Sequence, residues 1–183
     1  TPIDAPKAAS ILRNRKGVGG AELGLANEMA INQFIAHHSV IFQPEKKLMW
    51  VSTSPWQCGK YVAYDLNRIF SDSIDFNHEI YTENLTVPAD SFLQQQEYQQ
   101  LMTYKRLAPV LRKQIKKKER LDEQTLHAFQ HANPHFFYVY ELLGDYYHAT
   151  GQQDKALRNW KKALLLPIPK RSESERIEHK INN

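Results

Sequence analysis

The chain has 183 residues, 42% of them hydrophobic and 24% charged, with a formal net charge of +4. That length suits one ordinary domain or a small domain with a helical module. The composition excludes a disordered chain, and no apolar run approaches the roughly 18 to 20 residues that a bilayer-spanning helix needs. The excess positive charge is concentrated in KRLAPVLRKQIKKKER, residues 105–120. A tract like this reads as the solvated face of a helix; it has no interleaved aromatic stripe, so a nucleic-acid partner is not expected.

In chain order, DAPKAASILR (4–13) predicts a short helix capped by Asp4, with Pro6 in its first turn and Ile11 and Leu12 toward a core. The glycines of KGVGG end it. AELGLANEMAINQFIAHH (21–38) is apolar without a clean period, leaving helix and extended chain both open. SVIF and LMWVS, joined by QPEKK, predict a β-hairpin over Ser39 to Ser52, and GKYVAYDL predicts a third strand. Alternation in the first strand places Val40 and Phe42 on one face and Ser39 and Ile41 on the other, and both faces are expected to be covered.

The composition shifts near Ser71, and residues 71–87 read as a connection. From about Pro88 onward nearly every window is helical, punctuated by Pro109, Pro134 and Gly151. The expected organisation is therefore α+β: an N-terminal region 1–70, the connection, and an all-α region 88–183.

Within the helical region, FYVYELLGDYYHATGQQDKALRNWKKALLLPIP (137–169) sets Tyr140, Leu143, Gly144 and Tyr147 on one helix face and Ala156, Trp160 and Ala163 on another. Gly144 and Ala156 would let the two helices approach closely while the aromatics fill the space around them. This pattern resembles a tetratricopeptide repeat, best matched over 137–168, and LDEQTLHAFQHANP resembles the second helix of a preceding, degenerate one. The resemblance implies a groove for a peptide or protein ligand, with His135, Tyr138 and Asp145 as candidate contacts.

The chemistry-bearing cluster of the N-terminal half is His37, His38 and Ser39, with Cys58 beyond the hairpin. A metal site is not expected, because neighbouring strand side chains point to opposite faces and no third ligand stands at useful spacing. A serine–histidine pair meets the same obstacle. The single cysteine makes no internal disulfide, which leaves the compartment of a soluble chain open between cytoplasm and periplasm.

The run LRNRKGVGGAELGLANEMAINQFIAHHSVIFQPEKKLMWVSTSPWQCGKYVAYDL (12–66) resembles the C-terminal section of bacterial proteins similar to acyl-CoA:6-aminopenicillanic acid acyltransferase, a branch of the N-terminal-nucleophile hydrolases. The resemblance implies an αββα sandwich of which residues 1–70 are the C-terminal part. It also implies an amidase or acyltransferase acting on a small amide, peptide or thioester without a cofactor. In such enzymes an autocatalytic cut exposes a cysteine whose own α-amino group, with an unperturbed pKa near 8, serves as base. No cysteine stands near the start of this sequence, Cys58 falls after the hairpin, and Thr1 is followed by Pro2. The nucleophile is therefore expected outside this chain, in an N-terminal segment or partner chain, with no catalytic residue here. Asn32, His37 and His38, which precede the strand alternation, are the candidate pocket residues.

Overall fold

The computed structural model describes residues 3–71, 75 and 77–182. Among these the fold is mixed α/β, with seven α-helices and a three-stranded antiparallel sheet. It divides into two compact units, one formed by the described part of 1–14 with 31–94 and the other by 15–30 with 95–182. Thr1, Pro2 and part of the connection, residues 72–74 and 76, lie outside the described residues.

The first unit opens with α1 (Ala5–Leu12). Asp4 caps it by accepting a hydrogen bond from the Lys7 amide at 2.8 Å, and proline in the first turn removes no helical donor that has a partner. The sheet follows in the order β1 (Val40–Gln43), β2 (Leu48–Ser52) and β3 (Tyr61–Asp65). β1 and β2 form the expected hairpin, turned by a 3-10 segment at Pro44–Lys46 and by Lys47 in the left-handed region at φ 52°. A one-turn helix, α2 (Leu66–Ile69), is capped by Asp65.

Cross-strand register sorts the sheet into two faces. Ile41, Trp50 and Ala63 form a row on one face, packed with Ala5, Ala9 and Leu12 of α1. The spacing i, i+4, i+7 makes those three residues the buried stripe of α1. Ile11 lies off that stripe and is exposed, which corrects the expectation that it faces the core. The opposite face carries two apolar rows, Val40–Val51–Val62 and Phe42–Met49–Tyr64. Val40 and Phe42 are 38% and 64% exposed, so this face is not covered as expected, and its other four residues are only partly buried.

The second unit contains α3 (Gln96–Lys117), α4 (Glu123–Ala132), α5 (Phe137–Ala149), α6 (Gln153–Leu164) and α7 (Arg171–Asn182). Asp122 caps α4, and Gly151 at φ 77° supplies the turn between α5 and α6. Leu101, Tyr104, Leu107, Ala108 and Leu111 form the buried stripe of α3. Segment 15–30 is neither helix nor strand apart from one 3-10 turn, and asparagines hold it in place. Buried Asn133 exchanges two hydrogen bonds with the Leu25 backbone, and buried Asn27 donates to the carbonyls of Leu23 and Pro167. Gly24, at φ 76°, lies so close to Phe136 that a Cβ would come within 2.5 Å of its backbone nitrogen.

Candidate functional site

In the first unit the polar centre is built around Asn32 and Arg13. Asn32 is fully buried, its Oδ1 accepts from the Phe34 amide, and its Nδ2 lies 3.4 Å from the Trp56 carbonyl oxygen and 3.3 Å from Cys58 Sγ, donating to both. The first of these bonds closes a turn that holds Phe34 at φ 55°. Asn32 therefore faces the interior and shapes the backbone on either side of the hairpin. Cys58 is likewise fully buried. Gly59 beside it has no room for a side chain, since a Cβ would meet the Ser54 carbonyl oxygen at 2.3 Å.

Arg13 continues this centre. Its guanidinium donates to the carbonyls of Gln57, Gly59 and Pro88 and lies 5.1 Å from the centroid of the Tyr61 ring. The fork suits the task because several donors in one plane satisfy carbonyls from separate loop segments at once. Tyr61 shares a short hydrogen bond with Ser39 Oγ, and burial pushes its hydroxyl above the ordinary tyrosine range. Ser39 is further tied to Ser52, whose Oγ accepts from the Ser39 amide at 2.7 Å. The partners of the Ser39 hydroxyl are thus two other hydroxyls, neither of which is a base for nucleophilic attack. His37 and His38 are both exposed at the entrance to β1.

The sequence reading did not single out Arg13, because an arginine at a helix C-terminus carries no mark of which loops it will meet. Glu141 was missed too, although a signal was present: a lone carboxylate inside the apolar run FYVYELLG must find a cation if it is buried. In the second unit its side chain is 3% exposed and receives two hydrogen bonds from Arg176 and one from Lys180. Burial alone would raise its pKa; those bonds outweigh burial and hold the carboxyl below the usual range.

Of the three groove candidates, His135 is exposed and lines a cavity of about 470 Å³ with Lys16, Glu22 and Asn133. Tyr138 is half-buried and lines a different cavity, of about 480 Å³, together with Asp145. Asp145 accepts from Trp160 Nε1 at 3.0 Å and from Lys180 at 2.8 Å, so its charge is already met within the unit. The structure does not bring His135 together with the other two in one cavity. Among the described residues no group of three His, Cys, Asp or Glu could hold a metal ion, and no helix is long and apolar enough to cross a membrane.

No family model matches the chain, and no curated protein or solved structure matches it either.

Proposed function

We propose that this chain completes the αββα sandwich of an N-terminal-nucleophile amidase or acyltransferase acting on a small amide, peptide or thioester, with the nucleophilic cysteine in a segment or chain outside it. The observation that carries the reading is the uncovered sheet face. Val40–Val51–Val62 and Phe42–Met49–Tyr64 present six apolar or aromatic side chains from three strands, while α1 covers the reverse side. A sheet with a helix on one face and apolar rows on the other supports this reading, since its open face could pack on a second sheet at the roughly 10 Å spacing of packed sheets.

The polar centre is consistent with a supporting role in catalysis. Cys58 and Ser39 are bound into the architecture, which leaves the exposed His37 and His38 as the side chains able to turn toward a pocket. In the full-length protein, assayed on a small amide or thioester, Cys58→Ala and Ser39→Ala should keep most activity, while Phe42→Asp on the open face should abolish it by blocking sheet packing. Loss of turnover in Cys58→Ala with the fold intact would overturn the reading. So would an upstream coding sequence without a cysteine able to become N-terminal.

A second reading, an interaction module, is favoured by the close approach of α5 and α6. A Cβ on Gly144 would fall 2.3 Å from Trp160 Cδ1, and Ala156 and Ala163 are fully buried on α6. Such small-residue packing supports the tetratricopeptide-like reading of this helix pair. Peptide retention by the chain without any amide hydrolysis by the full-length protein would decide for this reading.

A further inference from the structure

Part of the basic tract, though exposed to solvent, lines a groove. Pro109, Arg112, Lys113 and Lys116 recur at i, i+3, i+4 and i+7, one stripe of α3, and this stripe forms one wall of the cavity of about 480 Å³. The other wall is a stripe of α5, Tyr138, Leu142 and Asp145. Through Ile115 and Asp145, which line both, the cavity continues into a second of about 410 Å³ that reaches His148, Trp160 and Lys180.

Charge in this groove is one-sided. Arg112, Lys113 and Lys116 are exposed, and among the described residues none of them forms an ion pair. The helix dipole favours cations in the last turn of α3, which accounts for Lys116 but not for Arg112 and Lys113. Among the described residues the carboxylate that lines the opposite wall is Asp145, and Lys180 neutralises it. The apolar members of the two walls, exposed Pro109, the half-buried Tyr138 ring and buried Leu142, together make its apolar floor.

We infer that the α3–α5 groove binds an acidic peptide segment of a protein partner, one that places a large apolar side chain on the Pro109–Tyr138–Leu142 floor and flanking carboxylates on Arg112, Lys113 and Lys116. Charge complementarity selects the carboxylates, and Arg112 can take one through two parallel bonds. The apolar floor, three residues flanked by three cations, suits a single peptide side chain and is too small for a membrane, which needs an extended apolar surface. Tyr138 offers one aromatic face and Trp160, where the groove continues, is buried, so there is no series of stacking platforms for nucleotides. The inference rests on the interaction-module reading of the helical unit and is independent of the amidase reading.

The test uses the full chain and a fluorescein-labelled nine-residue peptide repeating Glu-Leu-Glu, followed by anisotropy at low and high salt. The peptide should bind, its affinity should fall as salt screens the contacts, and a Gln-Leu-Gln counterpart should bind about tenfold more weakly or worse. Arg112→Glu with Lys116→Glu should cost about tenfold or more, and Lys113→Gln, a milder change on the same wall, a few-fold. Lys161→Glu on exposed α6 surface should change nothing. No binding, or equal binding by the wall variants, overturns the inference. Tighter binding of single-stranded polyuridine or phosphatidylserine vesicles that displaces the peptide also overturns it. Thermal melts of Trp160→Ala separately test the helix-pair packing, so failure of the repeat reading and failure of the groove are distinguishable.

Discussion

Gly144 of α5 lies directly beneath the indole of Trp160 on α6: a Cβ on the glycine would stand 2.3 Å from Cδ1 and 2.4 Å from Nε1. The ring cannot swing aside freely, because Nε1 donates to Asp145. Gly144→Ala would gain about 1 kcal/mol of helix propensity and lose roughly 1–3 kcal/mol to overpacking. The short contact places the loss at the upper end, so the variant should be less stable. Trp160→Ala should lose roughly 3–5 kcal/mol, the usual cost of truncating a buried large aromatic. Denaturant melts measure both, and unchanged midpoints would contradict the packing described.

Glu141 makes the helical unit acid-sensitive. Its carboxyl is held below its usual range in the folded state because the bonds from Arg176 and Lys180 outweigh burial. The stabilising contribution is therefore fully present above the unfolded pKa of about 4.3 and is lost as pH falls through the lower folded value. Glu141→Gln should reduce stability at neutral pH by roughly 1.5–3 kcal/mol, the range for hydrogen bonds to charged groups. The gap between variant and wild type should close below about pH 4. Stability measured from pH 7 to pH 3 checks the sign; a gap that widens on acidification would contradict it.

Arg13 should resist conservative replacement. One lysine ammonium cannot reproduce the planar reach to Gln57, Gly59 and Pro88 carbonyls. Arg13→Lys is expected to cost roughly 1–3 kcal/mol through carbonyls left without a donor. Hydrogen exchange of amides near Cys58 and Gly59 should quicken in step, and protection equal to wild type would show that the fork is dispensable.

Asn32 and the histidine pair should separate in a combined assay of stability and turnover. Asn32→Ala removes a buried side chain bonded to Phe34, Trp56 and Cys58, so it should lower the melting midpoint and take any activity down with it. His37→Ala and His38→Ala, at exposed positions, should leave melting unchanged. At least one should lower turnover of the full-length protein about tenfold, the scale of one lost transition-state hydrogen bond of roughly 1.4 kcal/mol. Full activity in both would remove the histidines from the proposed pocket.

Local interactions made much of this fold legible in advance. The cap at Asp4, the β1–β2 hairpin, β3 and the helices punctuated by Pro134 and Gly151 each arise from residues a few positions apart, where period and turn chemistry are enough. Segment 15–30 was not legible. Its conformation depends on Asn133, 108 positions from Leu25, and on Pro167, 140 positions from Asn27, and hydropathy carries no trace of hydrogen bonds at that range. The same reason hid Arg13, whose acceptors lie 44 to 75 positions away. It also hid the role of Asn32, which reads as a polar residue near a strand until Trp56 and Cys58 are placed beside it. The sequence alone determined which residues of β1 share a face, since side chains alternate strictly along a strand. Only the tertiary structure decided that Ile41 lies under α1 while Val40 and Phe42 stay uncovered, because burial depends on what other elements bring to a face.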